Sequence, residues 1–198
     1  LFNQFKQEVT TMQLTEAECS RFYKIWDSLI LFVNSRLSIV QGMSFPCDTM
    51  ADLENVVIVR SALWADDSLL DKFAMENPND LSNADLELSM TWKNRVGGLF
   101  IVERHLKKGS IFIDENDNVY SVAGLFTAVP DLIPDVPSYL ETFLIPFENR
   151  IIWDGLVNLR PIRFGSNIRK RFRGLYVSAK SNNEIITSLT GKAVATAR

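Results

Sequence analysis

Few residues in this chain are able to do chemistry. Its 198 residues include one histidine, His105, and two cysteines, Cys19 and Cys47. A zinc site built from Cys and His needs about four ligands, so these three cannot complete one; neither a metal nor a cofactor is expected. His105 stands in Arg104-His105-Leu106-Lys107-Lys108. A catalytic imidazole needs a nucleophile and an orienting acid, and no such motif accompanies it. Asp114, Asn116 and Asn118 alternate as in a calcium loop, but the sixth and twelfth positions fall on Val119 and Leu125 instead of Gly and Glu. A hairpin turn explains the same residues. Glu141 and Asp154 are the carboxylates available for acid–base work, although Asp154-Gly155 is first a turn signal. No catalytic residue is assigned, and a small hydrolase using carboxylate or Cys/His groups stands as the alternative to a non-enzymatic protein.

Charge is the more unusual feature. The formal net charge is −3, but it is not evenly spread. Residues 1–97 carry 8 basic and 14 acidic side chains, net −6, whereas residues 98–198 carry 13 and 10, net +3. Arg160, Arg163, Arg169, Lys170, Arg171 and Arg173 fall within 14 residues that contain no acid. On a helix advancing 100° per residue from Ile168, the apolar stripe of Ile168, Phe172, Leu175, Tyr176 and Ala179 centres near about 15°. Arg169, Arg173 and Lys180 then form a ridge beside it, at about 100°, 140° and 120°. Cations in the first two turns oppose the helix dipole, at about 0.3–1 kcal/mol for each badly placed charge, and so call for an anion. Three sources are open: a nucleic-acid phosphate, a smaller phosphate at the Gly165-Ser166-Asn167 helix start, or the acids of residues 1–97. The expected anion-binding set is Arg160, Arg163, Ser166, Arg169, Lys170 and Arg173. Phe164, Phe172 and Tyr176 lie nearby for base stacking, but the last two are on the stripe assigned to the core, and no nucleic-acid-binding signature is present.

The elements that must position these residues follow from periodicity. Thr15 with Glu16 and Glu18 starts a helix, and Phe22, Trp26, Leu29, Ile30, Val33 and Leu37 recur at helical spacing. A second helix starts near Asp48 or Thr49, a third spans about 69–75, and a fourth opens at Ser82 and runs to about residue 95, where Gly97-Gly98 stops it. The period then changes to two. Strands at 99–106, 110–113 and 119–122 form an antiparallel meander, and a further hairpin turns at Glu148-Asn149, with Pro146 hinting at an edge or bulge. Helices first, then strands, then one helix argue for an α+β fold. The expected architecture is an N-terminal helical layer packed on a small bent antiparallel β-meander and closed by the basic C-terminal helix. The expected division is 1–97 helical, 98–185 sheet plus helix, and 186–198 a frayed tail, with the halves one cooperative unit.

The longest strongly apolar run, Leu29 to Val33, is far short of the roughly 20 residues of a membrane span. Residues 1–15 carry Lys6 and Glu8 and lack the apolar core of a signal peptide. A cytoplasmic protein with free thiols and no membrane partner is expected; the sequence does not decide the oligomeric state.

The segment Leu144-Ile145-Pro146-Phe147-Glu148-Asn149-Arg150-Ile151-Ile152-Trp153-Asp154-Gly155-Leu156, followed by the basic helix, resembles a pattern in an uncharacterised bacterial protein family of unknown function. Glu103-Arg104-His105-Leu106-Lys107-Lys108 is similar to the same group. The resemblance spans residues 98–180 at most and implies no activity and no catalytic roles. It does imply that the Pro-Phe turn and Asp154-Gly155 are shared architecture. The expected function is a non-enzymatic binding or interaction module whose basic strip meets an anionic partner, with nucleic acid among the candidates.

Overall fold

The structure, a computed structural model, describes residues 12–47 and 49–189. It has an α+β fold, and its described residues divide into two compact units. Among them, no helix is long and apolar enough to cross a membrane.

Among the described residues, the helical unit comprises Thr15–Val96, Ile145–Asn149 and Leu189. Its helices are α1 (Glu16–Leu37), α2 (Met50–Ala65), α3 (Ser68–Glu76) and α4 (Asn83–Thr91), the last continuing into a 3₁₀ turn, Trp92–Asn94. Two capping boxes set the starts of α1 and α2. The Thr15 hydroxyl accepts from the Glu18 amide while the Glu18 carboxylate accepts from the Thr15 amide, and Thr49 and Asp52 repeat the arrangement. Each box satisfies amides that a helix start leaves without partners. Thr49 is thus the N-cap of α2; Asp48, the other expected start, lies outside the described residues. The core is aromatic. Phe22 stacks 5.9 Å from Trp26, and Trp92 lies 5.8 Å from Phe22 and 6.0 Å from Trp26. The Trp92 indole N–H donates to the Pro146 carbonyl at 3.1 Å, so the largest buried ring also has its one polar atom paired.

The second unit holds residues 12–14, Gly97–Leu144 and Arg150–Ser188. Its strands are β1 (Val96–Leu106), β2 (Gly109–Asp114), β3 (Val119–Ala123), β4 (Ser138–Phe147), β5 (Arg150–Trp153) and β6 (Asn158–Arg160), with short helix α5 (Val129–Leu132) before β4 and α6 (Ser166–Ser181) after β6. The expected meander is present: β1–β2 and β2–β3 are antiparallel. The sheet is larger and mixed, however. Its order is β1-β2-β3-β5-β4-β6, β3 and β5 are parallel, and β1 also pairs with β4. With β4 beside β1 and β1-β2-β3 consecutive, the arrangement is a Greek key, and β5 between β3 and β4 closes five strands into a ring. Closure removes the edges that an open meander would expose.

Several details depart from the sequence expectation. Gly97 and Gly98 do not end a helix but begin β1; a Cβ on Gly97 would lie 2.2 Å from the Phe143 ring, so the side chain is absent where the Phe143 ring approaches the β1 backbone. Pro146 is not on an exposed edge; it is buried one residue from the end of β4. The tail does not fray from residue 186. The Ile186 amide donates to the Val119 carbonyl at 2.8 Å, and the Ile186 carbonyl accepts from Ser121 at 2.9 Å. The rest of the expected tail, 190–198, lies outside the described residues.

Both faces of β1–β3 are buried. Phe100 and Phe112 pack on one side, 6.1 Å apart. On the other side Ile101, Ile111, Ile113 and Val119 meet Phe172, Tyr176 and Ala179 of α6. Most of the stripe expected on the last helix therefore docks, Leu175 packing at its margin, while Ile168 at its N-terminal end stays exposed. Burying a side chain such as Phe172 contributes about 1.5–3 kcal/mol.

Candidate functional site

The docked stripe leaves the rest of α6 open. Ser166, Arg169, Lys170, Arg171, Arg173 and Lys180 are all exposed, as are Arg160 and Arg163 before the helix. The helix starts without a side-chain cap at Gly165 and without an acid in its first turn. Its first amides and its dipole thus present positive potential beside a cluster of cations.

These cations are not equivalent. Arg160, opposite Tyr139 on β6, pairs with Glu141 at 2.6 Å. Arg171 grips both oxygens of Asp117 at 2.6 and 2.7 Å. Arg169 folds back to donate to the Phe164 carbonyl at 3.1 Å. Among the described residues, Arg163, Lys170 and Arg173 make no ion pair and no hydrogen bond. The two carboxylates that do pair with the strip, Asp117 and Glu141, belong to the same unit as α6.

Under the first turns of α6 lies a cleft of about 550 Å³, within the size range that holds a small organic ligand. Leu99, Ile101 and Ile113 line its floor, and Tyr139, Phe164 and Phe172 its wall. Phe164 is edge-on to both of the others, to Tyr139 at 6.2 Å and to Phe172 at 5.3 Å. Asp114, Glu115, Asp117 and Arg171 stand at the rim. Asp114 is fully occupied: it accepts from the Asn116 and Asn118 amides, the Asn118 side chain and the Tyr120 hydroxyl, each at 2.9 Å. Burial, together with that bond to Asp114, pushes the Tyr120 phenol well up. This is the hairpin turn read from the sequence, with Asp114 as its internal anchor. Glu115 is exposed and, among the described residues, has no partner.

The candidate catalytic groups are placed structurally. The Nε2 of His105 lies 2.9 Å from the Ile133 carbonyl, which can only accept, so Nε2 carries the proton. Its Nδ1 shares a hydrogen bond with the Ser110 hydroxyl at 2.8 Å. Both ring nitrogens are taken, leaving none for a thiol or carboxylate, and Ser110 is itself buried. Asp154 is buried and accepts from the Leu156 amide at 3.1 Å, closing a turn in which Gly155 adopts φ +84°. Glu141 is exposed and held by Arg160. Cys19 is a free, buried thiol whose pKa is raised by burial and by Glu18, which disfavours a nucleophilic thiolate. Among the described residues, no group of three His, Cys, Asp or Glu side chains is arranged to hold a metal ion.

Sequence reasoning thus found the exposed cations but missed the cleft beside them. Tyr139, Glu115 and Phe164 come from β4, the β2–β3 turn and the segment before α6, and only the fold brings them together. The one available signal was Phe164, noted as an aromatic within the basic stretch. No known protein family, no curated protein and no solved structure matches the chain.

Proposed function

We propose that the protein is a non-enzymatic module that binds single-stranded nucleic acid through α6 and the segment leading into it. Arg163, Arg169, Lys170 and Arg173 contact phosphates, and the Ser166 end of the helix supplies further positive potential. The observation that carries this reading is the set of free cations at the uncapped start of α6: Arg163, Lys170 and Arg173 are exposed and without partners among the described residues. A helix that needed these charges only for its own fold would pair them. The fold class adds a supporting analogy. Five-stranded Greek-key barrels elsewhere bind oligonucleotides on the outer face of strands two and three. Here α6 covers that face, so the binding surface moves onto the helix. The work takes place in the cytoplasm, a compartment that keeps thiols such as that of Cys19 reduced.

The test is the affinity for short single-stranded RNA at increasing salt. Four phosphate contacts predict a slope of about −3 in log affinity against log salt, a loss of about 50-fold between about 50 and 200 mM. Absence of binding at low salt, or binding that salt does not weaken, refutes the proposal.

A further inference from the structure

The cleft under α6 has properties that phosphate contacts alone do not use. Its wall is three aromatic rings, its rim carries one free carboxylate, Glu115, and the Tyr139 hydroxyl has no hydrogen-bond partner among the described residues. Ile168, on the first turn of α6 and at the cleft's mouth, is 47% exposed. Apolar surface left open under a helix that itself carries unpaired cations suits a flat, apolar-faced group tethered to an anionic chain. A nucleobase on a phosphate backbone is such a group. Bases of single strands pack against aromatic side chains irrespective of sequence, and their polar edges are then read by nearby donors and acceptors.

We infer that the cleft between α6 and β1–β2 receives one unstacked base of a bound single strand, with Glu115 accepting a hydrogen bond from its exocyclic amine. The inference rests on the nucleic-acid reading above and adds a specificity to it. A carboxylate can only accept, so it favours cytosine, adenine or guanine, which offer an exocyclic amino group, over uracil, whose one donor, N3–H, sits between two carbonyl oxygens that repel the carboxylate. Asp114 cannot take this role because its four acceptor positions are filled, and Asp117 is gripped by Arg171. Arg171 is fixed at the rim by that same pair, where its remaining N–H groups can meet a ring nitrogen or carbonyl of the same base. Phosphates flanking the base would pass toward Arg163 and Lys170, which are carried by the segment before the helix and by its second turn.

The experiment is fluorescence anisotropy with labelled oligo-C, oligo-A and oligo-U of equal length at low salt. It uses the wild-type protein, Glu115→Gln, Phe164→Ala and the combined Arg163, Lys170 and Arg173→Ala variant. Oligo-C and oligo-A are expected to bind about tenfold more tightly than oligo-U. Glu115→Gln, an exposed substitution that leaves the fold intact, is expected to narrow that ratio to about threefold or less. Phe164→Ala is expected to weaken every oligomer by about tenfold without changing the salt slope. Equal binding of the three oligomers by the wild type, or a preference that survives Glu115→Gln, overturns the inference. If either occurs while the triple variant still loses affinity, phosphate binding stands and only the base site falls. If no oligomer binds the wild type, both fall together.

Discussion

In the helical unit, every described lysine and arginine of Thr15–Val96 has a partner. Arg21 reaches Asp85 at 2.7 Å, Glu148 at 2.8 Å and the Ala84 carbonyl at 3.0 Å, while Lys24 approaches Asp85 at 3.6 Å. Arg36 pairs with Glu76, Lys93 with Asp71, and Arg95 with Asp67 and the Trp64 carbonyl. Lys72 donates to Ser68, and Arg60 is also engaged. On α6 and the segment before it, four of the seven cations, Arg163, Lys170, Arg173 and Lys180, have none among the described residues. The contrast separates two uses of basic residues in one chain. In the acidic half they tie helices together; in the basic half most of the surplus is left facing solvent at the end of a helix where it opposes the dipole. The net charge of −3 conceals this difference, and the partners of individual side chains reveal it.

The comparison can be broken first at Arg21, where the largest effect is expected. Burial acts to raise the Asp85 pKa, but bonds from Arg21 and Ser82 and the charges of Arg21 and Lys24 outweigh it, holding the carboxyl below its usual value. Arg21→Ala leaves Asp85 buried without its main partner, and unfolding by denaturant should show a loss of about 3 kcal/mol. RNA affinity should not change. A loss under 0.5 kcal/mol would mean that the helical unit's ion pairs are as dispensable as exposed ones.

Asp27 comes next, as the helical unit's exception. Burial on α1 pushes its pKa up to about 6, so the folded state favours the protonated form and the charged form weakens the fold at neutral pH. Below the unfolded value near 3.8 there is no penalty, and the cost grows as pH rises through 6. Asp27→Asn should therefore stabilise the protein by about 1–2 kcal/mol at pH 7.5, after allowance for partial solvent screening. The gain should vanish by about pH 4. Melting temperatures of both proteins across this pH range check it; a constant difference would contradict the assignment.

The smallest effect is at the start of α6. Asn167→Asp adds the acid that its first turn lacks, and should raise stability by about 0.5 kcal/mol while weakening RNA binding. Opposite signs on the two readouts would sharpen the distinction between a charge that serves the fold and one that serves a ligand. A fall in both would blur it.

Local signals carried much of the fold. The Thr15 start of α1, the apolar stripe of α6 and the turn at Asp114 were legible because each lies within a few residues and has its own stereochemical reason. The parallel pairing of Val122 with Ile151 and the return of Ile186 to Val119 were not. Such contacts depend on which distant strands meet, and period-two patterning is the same for any neighbour. Gly97-Gly98 misled for a related reason: it reads as a stop, and only the approach of Phe143 shows why a strand needs no side chain there. The candidate site divides along the same line. A run of cations is visible in sequence, whereas whether each is free is a property of the folded neighbourhood.

The most direct test of that freedom is to compare the salt dependence of RNA affinity for the wild type and the Arg163, Lys170 and Arg173→Ala variant, with melting temperatures measured alongside. If these side chains contact phosphates, the variant's slope is shallower by about 2 and its melting temperature is unchanged or slightly higher. Equal slopes, or a variant that melts several degrees lower, would contradict the account by showing that the cations do not contact phosphates or that the fold depends on them.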